Sequence, residues 1–366
     1  MTIEAKACKD LIAVAGVLAV LAVLAGCARS PAPETAGASA APIEVRLAGG
    51  ERIDFDRWDA LALWLDEHRA GPVAIRLAPG DFDAARTLAM PSHSRLEGAG
   101  EGVTRIIARR ELEAVIANRE LEQGNAFITV DRLTVDCASR AQEGILKRRV
   151  AALRLDAITV TGCRRTGVRV SGRGEITRGA VLTAINAIDN PGDGIMIMWG
   201  TRNARYSNLY AARNGGTGIV IDHSEGTASN LISDGNHGSG VFVRNVFSVT
   251  ISNLRATRNG GHGVLVQGFV ASAGSAWTAL NNGVSRPGQF DEIHFSGAGD
   301  LSYGVTDRSV IDGIVAGAYE HGTGSPTARH GVYVAPEISG LHRGGLVFLD
   351  VLDQPLVPAG EASTGP

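Results

Sequence analysis

Asp222, His223 and Arg244 form the densest polar group that the spacing of this sequence brings together, with Gln267 one repeat further on and Trp199 one repeat before. An arginine holds a carboxylate through two parallel hydrogen bonds, and an imidazole or carboxylate can move a proton. That combination suits proton abstraction beside a uronic-acid carboxylate, as in β-elimination or epimerisation. The catalytic candidates are therefore Asp222, His223 and Arg244, with Trp199, Asn245 and Gln267 as candidate substrate contacts. The structural alternative is a surface Asp222 and Arg244 ion pair with an incidental histidine. Other chemistries lack their parts. Asp193 and His262 share a row but stand three repeats apart, roughly 14 Å at the spacing of paired strands. No pair of carboxylates flanks one bond as glycoside hydrolysis requires. Lys147, the only lysine after Lys9, lies well before the polar group. No Cys/His metal spacing or calcium loop appears, so neither metal nor cofactor is expected.

The elements that must position these residues are repeats. Ser207-Asn208-Leu209 leads through Asn214 to Gly218-Ile219-Val220-Ile221, and Ser229-Asn230-Leu231 leads through Asn236 to Gly240-Val241-Phe242-Val243. Ser252-Asn253-Leu254 leads through Asn259 to Gly263-Val264-Leu265-Val266. The spacings are 22 and 23 residues, and weaker copies precede them at Asn190 with Gly194-Ile195-Met196-Ile197 and at Cys163 with Gly167-Val168-Arg169-Val170. Alternation with period two marks strands, and no apolar run long enough for a crossover helix separates them. Each unit is then one turn of a β-solenoid that buries its core only by stacking on its neighbours. Ile219 and Ile221 should point inward under Val241 and Val243, then Val264 and Val266, while Asn214, Asn236 and Asn259 stack at a turn and satisfy backbone groups. Outward, Met196, Val220, Phe242 and Leu265 form an apolar row. Cover by the loop after Phe269, cover by Val347 to Val357, an oligomer contact and a platform for sugar rings are the alternatives for it.

These repeats, with Leu77-Ala78-Pro79-Gly80-Asp81-Phe82, Thr87-Leu88-Ala89-Met90 and Leu96-Glu97-Gly98-Ala99-Gly100 at the start, resemble the right-handed parallel β-helix proteins of the pectate-lyase-like superfamily. The resemblance implies an all-β, single-stranded right-handed parallel β-helix over residues 77–334. A capping segment over 44–76 should contain a helix capped by Asp54 or Asp56, running through Glu67 and presenting Trp58, Leu61 and Leu65 on one face. After Phe269 an Ala/Gly/Ser-rich loop is expected, then irregular coils at Phe290 to Ser309 and His330 to Val334, with a C-terminal segment over 335–366. Gly261-His262-Gly263 is similar to the Gly-His-Gly of polygalacturonase-like hydrolases, whose asparagine-threonine-aspartate and paired-aspartate motifs are missing here.

Residues 1–26 read as a signal segment: Lys6 and Lys9, an apolar run from Leu11 to Leu24, then Leu24-Ala25-Gly26-Cys27, which resembles a bacterial lipobox with lipidation at Cys27. Residues 27–43, rich in Pro, Ala, Ser and Gly, read as a tether. Ala28 after the cysteine implies an outer-membrane lipoprotein, facing the periplasm or the cell surface. Cys137 and Cys163 stand one repeat apart, either bridged or as stacked thiols. The formal net charge is −3, and the signal segment carries two charges of each sign, so no nucleic-acid partner is indicated. The superfamily includes polysaccharide lyases, hydrolases and epimerases as well as adhesins. The reading is therefore an envelope lipoprotein that binds or modifies an acidic polysaccharide, by lyase or epimerase chemistry if catalytic, with a non-catalytic scaffold or adhesin-like protein as the alternative. Its partners are a polysaccharide, the membrane through its lipid, and a second copy if the apolar row is a contact.

Overall fold

The computed structural model describes residues 43–68, 71–172, 177–296, 308–317, 328–336, 338, 341–349 and 356–357. The signal segment, Cys27 and the tether before residue 43 lie outside them. Two long sheets run side by side, one of 16 strands and one of 11, and from Val73 onward the chain alternates between them so that strands pair in parallel with their counterparts one coil away. This is a parallel β-solenoid. No described helix is long and apolar enough to cross a membrane.

Periodicity in the sequence becomes register in the stack. Ile219 aligns with Val241 and then Val264, and Ile221 with Val243 and then Val266, all fully buried. Three left-handed bends shape a typical coil, for example Asn208, Arg213 and His223, at φ of 54°, 52° and 50°. Asparagine tolerates that region better than most residues, which explains Asn208, Asn230 and Asn253 at one bend. Their side chains also form an outer ladder, with Asn230 donating to Asn208 at 2.8 Å and Asn253 to Asn230 at 2.7 Å.

A second ladder is buried. Asn190 donates through Nδ2 to Asn214, Asn214 to Asn236, Asn236 to Asn259 and Asn259 to Asn282, at 2.8 to 2.9 Å. Each receiving Oδ1 also accepts the backbone N–H of the residue below it. The last acceptor is Glu292, whose carboxylate takes both the backbone and side-chain N–H of Asn282. A carboxylate suits that place because it only accepts, so no donor is stranded at the end of the ladder. Glycine in the repeat has the same origin: a Cβ on Gly218 would lie 2.1 Å from Ser233 Oγ and 2.6 Å from Asn236 Nδ2. At the other end Cys163 donates its N–H to Asn190, and its sulfur is bridged to Cys137 across a Cα separation of 4.8 Å.

At the N-terminal end β1 (Ile43–Leu47) pairs antiparallel with both β2 (Arg52–Phe55) and β3 (Val73–Leu77), so the first sheet ends in a hairpin. Between them α1 (Trp58–Glu67) buries Trp58, Leu61, Ala62 and Leu65, the face that its periodicity indicated. Its expected cap is absent. The N-cap is Arg57 with no side-chain bond, because Asp54 lies within β2 paired to Arg52, and Asp59 accepts the Ala85 N–H instead.

The stretch after Phe269 also differs from expectation. Ala273–Leu280 is a strand in full register with Val249–Thr257, not a loop, because Trp277 takes the core place of Leu254 and is fully buried. The longer connection comes later, between Leu280 and Ile293. Leu341–Leu349 and Leu356–Val357 extend the two sheets beyond Val334 as further rungs, so these strands do not cover the outward apolar row.

Candidate functional site

Two of the polar groups on the outward face of the second sheet combine histidine, carboxylate and arginine. In the first, the Arg244 guanidinium holds Asp222 bidentately, Nε to Oδ1 at 3.3 Å and Nη2 to Oδ2 at 2.8 Å, and His223 donates Nδ1–H to Oδ1 at 2.6 Å. The sequence candidates therefore do meet. The Asp222 side chain, however, is only 1% exposed, against 35% for Arg244 and 19% for His223. This is a buried carboxylate under a half-exposed arginine rather than a surface pair. Arg244→Ala should therefore lower stability by about 2 to 4 kcal/mol, because the buried carboxylate loses its two guanidinium hydrogen bonds and keeps the His223 N–H. Chemical denaturation measures this, and a loss below about 0.5 kcal/mol would assign the pair to the solvent-screened class.

The remaining candidates are spread around this pair. Trp199 is 40% exposed and stands with His223, Asn245 and Gly268 at one left-handed bend of successive coils, where φ runs from 48° to 77°. Gln267 is half-buried, in register with Arg244 below and Ser296 above. Asn245 turns inward, 1% exposed with both side-chain polar atoms lacking a hydrogen bond, so it presents no surface to a ligand. In the apolar row Val220 is nearly buried at 8% and Met196, Phe242 and Leu265 are half-buried, while Arg244 lies 5.9 Å from the Phe242 ring centroid.

The second polar group escaped the sequence reading. Val264, Ile293 and Val332 are in register on three successive rungs, which places His262, Asp291 and His330 at one equivalent outward position and Leu265, His294 and Tyr333 at another. Asp291 is completely buried and is the hub. Its Oδ2 accepts from His294 Nδ1 at 2.6 Å and its Oδ1 from His330 Nδ1 at 2.7 Å, while Arg329 reaches both oxygens at 3.0 and 3.1 Å. Arg329 Nε also lies 3.0 Å from His330 Nδ1. The shorter contact to a carboxylate requires the proton on Nδ1, so Arg329 serves Asp291 and not the ring. Tyr333 stacks on His294 at 4.8 Å and on His330 at 5.6 Å, with Arg329 5.5 Å from its centroid. With Nδ1–H committed to Asp291, the basic nitrogen of both rings is Nε2.

Electrostatics follow from this geometry. Burial would raise the Asp291 carboxyl, but hydrogen bonds from His294, Arg329 and His330 overcome it and hold the group far below the usual carboxylate range. His262 accepts the Asp291 backbone N–H on Nδ1 at 3.0 Å, and burial, helped by the neighbouring His294, pushes it down to about 4. Burial pushes Glu292, behind Asp291, up to about 7. Proton linkage then has a definite sign. His262 contributes stability that is present above its unfolded value near 6.5 and lost towards pH 4, and Asp291 contributes stability lost as pH falls below about 3.8. Glu292 acts oppositely, favouring the fold below pH 4.5 and losing that contribution up to about 7. The rungs from His262 to Tyr333 should therefore open first on acidification below about pH 4.5, where Glu292 no longer offsets the loss from His262 and, below about 3.8, the loss from Asp291 follows. Hydrogen exchange against pH, with an NMR titration of His262, tests this; a His262 midpoint near 6.5 would contradict it.

His262, Asp291 and His294 offer ligand atoms within 4.8 Å of one another. The Asp291 carboxylate already accepts from two imidazoles and a guanidinium, so a cation there would compete with Arg329.

A family model described as right handed beta helix region matches residues 134–299. The body of this chain is a right-handed parallel β-helix. The β-helix is similar in fold to the A-modules of Azotobacter vinelandii mannuronan C-5 epimerases AlgE6 and AlgE4. The first has 19% identity and a TM-score of 0.53, covering 82% of this chain and 94% of that one. The second has 16% identity and a TM-score of 0.51, covering 84% and 94%. It is also similar to DFA-IIIase from Arthrobacter chlorophenolicus A6, with 13% identity, a TM-score of 0.53 and coverage of 76% and 78%. No curated protein matches the sequence.

The Asp291 group had a visible signal. Aligning Asp291-Glu292-Ile293-His294-Phe295 and His330-Gly331-Val332-Tyr333-Val334 with His262-Gly263-Val264-Leu265-Val266 brings its members into two columns. Glu292 in the glycine place and the longer connection before it obscured that alignment.

Proposed function

We propose that this β-helix acts on an acidic polysaccharide, removing the proton beside a uronate carboxylate, with His294 and His330 as bases held by Asp291. The observation that carries the proposal is the convergence of two imidazoles and one guanidinium on a single buried carboxylate at an outward-facing position. A carboxylate that fixes the Nδ1–H tautomer aims a basic Nε2 outward, the arrangement that makes imidazole an effective base near neutral pH. Arg329 adds positive charge where negative charge develops as the proton leaves. Return of a proton to the other face of the carbon gives epimerisation, and departure of the neighbouring glycosidic oxygen gives elimination. Two fold neighbours are named for C-5 epimerisation of mannuronan, which supports the substrate class. His223, Arg244, Trp199 and Gln267 then serve as a binding region further along the same face, above the half-buried Phe242 row, with the buried Asp222 holding His223 and Arg244 in place.

Product analysis on a panel of uronic-acid polymers tests this. Inversion at C-5 or unsaturated chain ends would support it; binding without either product across the panel would favour a non-catalytic scaffold. The envelope location remains part of the proposal and rests on Leu24-Ala25-Gly26-Cys27. Cys27→Ser should release the protein from membranes or leave its signal uncut, since stable anchoring needs more than one lipid chain. A processed mutant that still fractionates with the outer membrane would remove the lipobox.

A further inference from the structure

A second aromatic feature lies at the opposite end of the solenoid, at the bend that carries His93 and Phe127. Both residues are left-handed, with φ of 60° and 57°, both are exposed, Phe127 to 58%, and their rings stack at 4.9 Å and 23°. The bend itself belongs to the coil. The hydrogen bonds His93 N to Ala126 O, Phe127 N to Ala151 O, Ala152 N to Arg178 O and Gly179 N to Arg202 O place His93, Phe127, Ala152, Gly179 and Asn203 in one column. All five have positive φ. Three of them carry the small or tolerant side chains that such a bend favours, alanine, glycine and asparagine. A phenylalanine in that region is an outlier on steric grounds, and a ring left 58% exposed gains little burial to offset its strain. Strain of this kind, retained at an exposed position, points to binding.

The surroundings indicate what would bind. His93 and Phe127 line an open cleft of about 450 Å³ with Arg46, Pro72, Arg95 and Thr129. Arg46 and Arg95 are each more than half exposed and give only some of their five donors to Glu44 and Asp131. A flat apolar ring edged by guanidinium and hydroxyl donors is complementary to a pyranose, which has an apolar C–H face and a polar rim, and to a carboxylate on that rim. We propose that the His93 and Phe127 pair is an accessory binding site for a sugar ring of the same acidic polymer, remote from Asp291. The substrate class rests on the function proposed above; the site itself rests on the strained, exposed ring pair.

The test compares wild type, Phe127→Ala and Asp291→Asn as full-length proteins, measuring retention on immobilised polyuronate and turnover of a short oligouronate. Phe127→Ala should lose at least tenfold in polymer affinity with turnover of the short oligomer unchanged, and Phe127→Trp should restore retention. Wild-type retention in Phe127→Ala would overturn the accessory site and leave the Asp291 centre standing. Retention that falls in Phe127→Ala, when even the wild type turns over no uronate, would keep the accessory site and overturn the catalytic reading. Dimerisation of the wild type that Phe127→Ala abolishes would assign the ring pair to a contact between copies and overturn the proposal.

Discussion

Asp291→Asn should lower turnover on a uronate polymer by about 10² to 10⁴-fold, since loss of an orienting carboxylate from a carboxylate–imidazole pair costs up to roughly four orders of magnitude. The reason lies in the two faces of the side chain. Oδ2 accepts from His294 and Oδ1 from His330, so an amide can replace only one of them as an acceptor. Its NH₂ would meet the Nδ1–H of the other ring, which must turn or change tautomer and so lose its aim. Loss of the charge also leaves Arg329 without the carboxylate that it grips at two points. Steady-state kinetics with circular dichroism as a folding control would measure the effect. A folded variant within threefold of wild type would remove Asp291 from the chemistry.

The largest stability effect should come from Asn236→Leu, in the middle of the buried ladder, at about 3 to 5 kcal/mol. The Asn236 side chain accepts the backbone and side-chain N–H of Asn214 at 3.0 and 2.8 Å and donates to Asn259, Ala211 and Ser233. Leucine matches the volume approximately but strands donors and acceptors that no water can reach. Each buried unpaired group costs about 1 to 3 kcal/mol, and the losses are not additive because neighbours share the ladder. Since coils rely on adjacent coils, the damage should centre on the rungs from Asn214 to Asn259. Hydrogen exchange would show it as lost protection there, with the rungs around Leu96 unchanged. Uniform protection equal to wild type would mean that the ladder contributes nothing net.

Where the repeat is regular, the fold could be read directly. Stacking makes each coil answer to its neighbours, so the spacing of Ile219, Val241 and Val264 determined the core register, and the helix face of Trp58, Leu61 and Leu65 followed from its period. Local chemistry was less legible. The helix cap failed because Asp54 was drawn into a strand, and spacing alone could not choose between bridged and free cysteines, which the structure bridges. At the site, Asp222, His223 and Arg244 were found because they lie on coils of equal length. Their burial was not foreseen, because alternation says which way a side chain points but not how deeply its neighbours cover it. Asp291 was missed for a related reason. The connection between Leu280 and Ile293 breaks the period, and Glu292 replaces the glycine that marks the six preceding coils, from Gly144 to Gly263.

The central claim is that the Asp291 group removes a proton from the carbon bearing a uronate carboxylate. The most direct measurement is incorporation of solvent deuterium at C-5 when a polyuronate is incubated with the protein in D₂O, followed by NMR. Deuterium at C-5 of inverted residues in the wild-type reaction, with little in Asp291→Asn and most of it retained in Phe127→Ala, is the predicted result. A wild type that inverts or cleaves the polymer at other bonds without C-5 exchange or C-5 proton loss would contradict it.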